Sequence, residues 1–233
     1  MILDAKDVTK SYPQREGPVL DRVSLSIEDG EKAGLIGPSG CGKSTLARIL
    51  ALLESADEGT VTFDGVEASF DSDRLGSHPA RRLRRMRPIA SAWGGMQMVF
   101  QSPQASFPDH MTIGGAIWEG VAYRSGFAHA SKRERREMVE EALDSVSLSP
   151  SIADKRAFEV SGGECQRAAI ARALIGRPRL IICDEATSSL DVTVQARIMG
   201  LLERLNRDQG IAFLFITHDL ALASSFCDRI YSL

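Results

Sequence analysis

AGLIGPSGCGKSTLARILALLES, Ala33 to Ser55, carries three local signals in one stretch. Its first residues are apolar or small and read as a buried strand. Gly37, Pro38, Ser39, Gly40, Cys41 and Gly42 follow as a turn too rich in glycine for either regular structure. Lys43, Ser44 and Thr45 then open a helix. The stretch fits GxxxxGK[ST], in which the glycines let backbone N–H groups close around phosphate oxygens. Lys43 would reach the β and γ phosphates and Ser44 would offer its hydroxyl to Mg²⁺. An ordinary glycine turn needs no strand before it and no helix after it. Both flanks are present, so Gly37 to Thr45 is predicted to cradle a nucleotide.

Reading outward, VSLSI alternates apolar and polar residues at Val23, Leu25 and Ile27, and TVTFDG does so at Val61 and Phe63. Asp29-Gly30 and Asp64-Gly65 punctuate these strands as turns. Residues Val66 to Gly95 are poorly patterned and contain ARRLRRMRP, whose five arginines between Arg81 and Arg87 are expected on a solvated helix face. From about Pro103 to Phe158 the pattern turns helical. SKRE, Ser131 to Glu134, has capping-box spacing, and Met138, Val139, Ala142, Leu143 and Val146 form one apolar stripe. Strand and helix then alternate again through RLIICDE, a helix with Val194, Ile198, Leu201, Leu202 and Leu205 on one face up to Gly210, and AFLFITHD. Alternating apolar strands and amphipathic helices predict an α/β fold with a mostly parallel sheet.

LIICDEA places two acids after a buried strand. Asp184 is expected near Mg²⁺, and Glu185 is expected to orient or deprotonate an attacking water. Gln101 ends the short strand QMVF and His218 ends the strand FLFIT, both at the carboxyl edge where open parallel sheets hold ligands. Each is a candidate γ-phosphate sensor. Tyr12, on the N-terminal β segment, is either a stacking platform for adenine or an exposed aromatic at a strand end.

A second glycine-rich helix start lies downstream. In EVSGGECQRAAIARAL, Ser161, Gly162 and Gly163 begin a helix running to about Ile175, with Gly176 and Pro178 as stop signals. Its free N–H groups and dipole suit an anion. One nucleotide is already cradled on this chain. The second site makes sense if it completes a pocket on another copy or a paralogue, with ATP between them.

The bulk numbers narrow the classes. A chain of 233 residues can bury a full core as one domain. Its 28 basic and 31 acidic residues balance to −3, which argues against nucleic acid as the main partner. Four scattered cysteines without a CxxC pair support neither a zinc cage nor a disulfide framework, and fit a reducing compartment. No apolar run approaches the ~20 residues that span a bilayer.

In their order, the cradle Gly37 to Thr45, Gln101, VSGGE at Val160 to Glu164, LIICDE, SSLD at Ser188 to Asp191 and His218 resemble the ATP-binding cassette (ABC) family over nearly the whole chain. The resemblance implies a P-loop NTPase core of mostly parallel strands, an N-terminal antiparallel β subdomain and an inserted α-helical subdomain at about 103–158, within one nucleotide-binding domain, 1–233. It implies an ATPase using ATP and Mg²⁺, with Lys43, Gln101, Glu185 and His218 catalytic, Ser44, Gln101 and Asp184 around the metal, and Tyr12 and Gly37 to Thr45 on the nucleotide. Ser161 to Gly163 and Asp191 would act across a dimer of cassettes. FQSPQASFPDHMTI and LDVTVQARIMGLLERLNRDQGIAFLFITHDLALA are similar to the peptide and nickel importer branch. That implies transmembrane permease subunits as partners, a substrate-binding protein indirectly, and a peripheral location on the cytoplasmic face of the membrane.

The alternatives from other classes are a soluble cassette without a transporter and a lipoprotein-release or efflux ATPase. The 60 residues between Gln101 and Ser161 disfavour the first, and LDVTVQA disfavours the second. Val160, Glu164 and Ala186 depart from the usual leucine, glutamine and proline. Glu164 near phosphates implies a repulsion of about 2 kcal/mol at ~8 Å in an effective dielectric of about 20, partly offset by the helix dipole. Relatives also continue beyond CDRIYSL, so the chain is expected to be either an unusually short product or a fragment. Phe107 is expected either to anchor a permease helix or to pack inside the insertion.

Overall fold

The computed structural model describes residues 1–69, 95–122, 127, 129–187 and 190–233. The arginine run at 81–87 lies outside them. Four strands, β1 (Leu3–Ser11), β2 (Pro18–Ile27), β4 (Glu58–Phe63) and β5 (Val66–Ser69), form an antiparallel sheet in the order β2-β1-β4-β5. A second sheet holds β3 (Lys32–Ile36), β6 (Met96–Val99), β7 (Leu180–Asp184), β8 (Ala212–Ile216) and β9 (Arg229–Ser232), in the order β6-β7-β8-β3-β9, with every pairing parallel.

Turn chemistry explains β5, which lies in the stretch the sequence reading left unpatterned. Phe63 pairs with Val66, so Asp64 and Gly65 are the two loop residues of a hairpin, at φ 50° and 73°. Positive φ at both central positions is the hairpin requirement that Asp-Gly meets.

The parallel strands are buried on both faces, and alternation sends their side chains to two cores. Leu180, Ile182, Leu214 and Ile216 pack with α1 (Lys43–Leu50) and the antiparallel sheet. Ile181, Cys183, Phe213 and Phe215 pack with the helices on the other side. Those helices are α2 (Ile113–Ala122), α3 (Lys132–Ser145), α4 (Gly162–Leu174), α5 (Val192–Gln209) and α6 (Leu220–Phe226). The Ser131–Glu134 capping box forms as its spacing predicts, and Val139, Ala142, Leu143 and Val146 are buried beneath α3. Phe107 is 4% exposed within this core, so it takes the second of the two places open to it. Among the described residues, no helix is long and apolar enough to cross a membrane.

Candidate active site

Because β3, β6, β7 and β8 run parallel, their carboxyl ends share one edge of the sheet, and the glycine loop with Lys43 and Ser44, Gln101, Asp184, Glu185 and His218 lie there. β3 leads into the glycine loop. Gly42 caps α1 at φ 111°, and a Cβ there would come within 2.9 Å of the Val19 carbonyl, so both backbone geometry and space call for glycine. Lys43 is 5% exposed; its ammonium donates to the carbonyls of Gly37 at 2.8 Å and Pro38 at 2.9 Å. Two carbonyls thus hold the buried charge at the loop.

One residue along, the Ser44 hydroxyl donates to Asp184 Oδ1 at 3.1 Å. Asp184 is 8% exposed, and burial pushes its carboxyl above the ordinary aspartate range, a shift that the Ser44 hydrogen bond opposes and the charge of Glu185 reinforces. Glu185 follows at φ 49°, a left-handed conformation that is costly for a non-glycine residue and is pinned by its N–H donating to the Ile216 carbonyl at 3.0 Å. Gln101 Nε2 donates to Glu185 Oε2 at 3.1 Å, and His218 Nδ1 lies 3.6 Å from Glu185 Oε1. The strands before Gln101 and His218 stop at Val99 and Ile216, two residues short of each. That corrects the sequence reading, which had them ending their strands; the extra residues carry both side chains past the sheet edge towards Glu185.

A cleft of about 500 Å³ is lined by Tyr12, Ser39, Gly40, Gly42, Lys43, Ser44, Thr45, Gln101 and Glu185. Tyr12 is half-buried just past the end of β1, its hydroxyl donating to the Glu54 carboxylate. Sequence reasoning missed Arg15 and Arg48, which also line the cleft. Arg48 was legible as the residue one helical turn after Ser44. Arg15 was not, because only folding brings its Nη1 to 3.2 Å from the Gly40 carbonyl.

Ser161, Gly162 and Gly163 do not line that cleft. Ser161 caps α4 and its hydroxyl accepts from the Glu164 N–H at 3.3 Å, while Glu164 Oε2 accepts from the Ser161 N–H at 2.9 Å and its Oγ at 2.8 Å. These two bonds hold the Glu164 carboxyl below its ordinary range. Asp191 caps α5, accepting from Thr193 and Val194 N–H at 3.1 and 3.0 Å. A Cβ on Gly163 would lie 2.8 Å from Val194 Cγ1, so the starts of α4 and α5 abut.

The family pattern described as ABC transporter matches residues 20–188, well over half of the chain. The chain belongs to the ABC transporter family. It is similar to the oligopeptide transport ATP-binding protein OppF of Escherichia coli (strain K12), 41% identical over 218 residues, which cover 94% of this chain and 61% of OppF. The Salmonella typhimurium OppF is 40% identical over the same shares. The cassette therefore spans about three fifths of the length of these curated relatives. Among solved structures, the dimeric bacterial ABC transporter cassette MJ0796 superposes with a TM-score of 0.79 at 32% identity, covering 100% of this chain and 94% of that one. MJ0796 in a dimeric post-hydrolysis state, bound to ADP and Pi, superposes with a TM-score of 0.78 at the same identity and coverage.

Proposed function

We propose that this cassette hydrolyses ATP to ADP and phosphate as a subunit of a bacterial peptide importer. The observation that carries the reading is the convergence on one sheet edge of the Lys43 loop, the Ser44–Asp184 pair and the Gln101–Glu185–His218 group. In this reading Gly37 to Thr45 wrap the phosphates with their N–H groups, Lys43 neutralises the β and γ phosphates, and Tyr12 stacks on adenine. Glu185 takes the proton of the attacking water. Gln101 and His218, each beside one of its oxygens, hold that carboxylate in place.

The donor set fits Mg²⁺, which takes hard oxygen ligands and is held by one or two carboxylates together with substrate phosphates. Asp184 offers one carboxylate, Ser44 a hydroxyl oxygen and Gln101 an amide oxygen, and a carboxylate as buried as Asp184 gains from a facing cation. Held there, the cation would supply positive charge against that of the phosphates.

The abutting starts of α4 and α5, with Ser161 to Gly163 outside the chain's own cleft, fit a second cassette, a copy or a paralogue, whose γ-phosphate meets α4 and toward which Asp191 acts. Permease subunits would hold the pair at the cytoplasmic face of the membrane, with a substrate-binding protein delivering peptide to them. The names of the relatives favour peptide as cargo. The test is ATP turnover by the purified chain beside Lys43→Ala, followed by peptide uptake on co-expression with a permease pair. A parent chain no faster than Lys43→Ala refutes the ATPase reading; turnover without peptide uptake refutes the cargo.

A further inference from the structure

Near the end of α4, Arg172 is half-buried. Arg172 lies among the buried Ala168, Ala169, Ala171 and Ala173, and burial lowers its pKa against the opposing charge of Glu119. Its guanidinium has two partners on one short segment: Nη1 donates to the Ser106 carbonyl, and Cζ lies over the Phe107 ring, 4.9 Å from its centre. The segment is a stiff one. Residues Gln104–Ser106 form a 3₁₀ turn in which the Ser106 hydroxyl and N–H both donate to the Pro103 carbonyl, at 2.6 and 3.1 Å, and Phe107 N–H donates to Gln104 at 3.1 Å. Pro103 and Phe107 are both buried. At the other end of this turn stands Gln101, bonded to Glu185.

We infer that Arg172 is a positioning residue for Glu185: it ties the Gln101 segment to α4, so that the α4 position sets the Gln101–Glu185 contact. α4 is a rigid rod of ~20 Å with Ser161 to Gly163 at its start and Arg172 near its end. Any displacement of the helix start reaches Arg172, and the turn it grips moves with it. The planar guanidinium is suited to this, because it lies over the ring while its N–H meets a carbonyl in the ring's neighbourhood. Lysine keeps the charge and loses the stacking plane. The inference rests on the proposed hydrolysis of ATP.

The test is a double-mutant cycle on the full chain: parent, Arg172→Lys, Gln101→Ala and both together, with ATP turnover, ATP affinity and unfolding midpoint measured for each. Arg172→Lys is expected to lower kcat about ten- to a hundredfold through a misplaced carboxylate, with ATP affinity within about twofold. In the Gln101→Ala background the same change should alter kcat less than about twofold, because the contact it positions is gone. Phe107→Leu, which removes the stacking face and keeps an apolar side chain, should repeat the pattern and decides the matter if Arg172→Lys does not fold. Equal losses in both backgrounds overturn the inference, as does parent-like turnover of the folded variants. A parent with no turnover above Lys43→Ala refutes the hydrolysis reading itself, which separates the two failures.

Discussion

Gln101 and Glu185 lie 84 positions apart in the chain, and the amide of one donates to the carboxylate of the other at 3.1 Å. With His218 at the second oxygen, Glu185 is held between two side chains that stand two residues past the ends of two other strands. A water activated there needs the carboxylate and not merely the shape. Glu185→Gln is therefore expected to cut ATP turnover about 10²- to 10⁴-fold while ATP binding persists, leaving a chain that accumulates as an ATP-bound dimer. Steady-state turnover with light scattering in ATP checks this; turnover like the parent's would remove Glu185 from the role of base.

Glu164 occupies both donors of Ser161, the residue proposed to face a second cassette's nucleotide. Glu164→Gln keeps an acceptor for the helix cap and removes one negative charge. The expected result is tighter ATP-driven dimerisation, about tenfold, at a cost in stability of no more than about 1 kcal/mol. Concentration-dependent light scattering in the Glu185→Gln background measures it. Weaker association would mean that the carboxylate orders Ser161 more than it repels phosphate.

Asp184 has its carboxyl raised by burial. A raised carboxyl binds its proton more tightly folded than unfolded, so between the ordinary aspartate pKa and the raised one the folded state holds more protons and stability falls as pH rises. Asp184→Asn removes that loss and keeps an oxygen for Ser44. Without nucleotide, the variant should exceed the parent in melting temperature by a margin that widens from acid to neutral pH, and it should hydrolyse ATP poorly. A constant margin would show that the charge is not what destabilises the site.

Phe107→Ala opens a hole in the helical core beneath Arg172. The expected loss is about 3–5 kcal/mol in urea unfolding, the range for a buried phenylalanine. A loss below about 1 kcal/mol would return Phe107 to the role of a surface anchor.

What the sequence carried by itself was local. The cradle at Gly37 to Thr45, the caps at Ser131 and Ser161 with their glutamates three residues on, the Asp191 start and Gly210 end of α5, and the Asp64-Gly65 hairpin turn are all set by residues within one or two turns of each other. Their spacing alone decides which N–H meets which oxygen, although the Ser161–Glu164 box, the Asp191 cap and the β5 half of that hairpin went unread. Tertiary structure decided the rest of the site. Ser44 meets Asp184 across 140 positions, Gln101 meets Glu185 across 84, and Arg172 meets Ser106 across 66. Periodicity tells which face of a strand is buried, but not that β6, β7, β8 and β3 lie side by side in that order. Parallel neighbours are joined by long crossovers, so their pairing comes from packing both faces of one sheet against separate cores, and only that packing brings these side chains within hydrogen-bond reach.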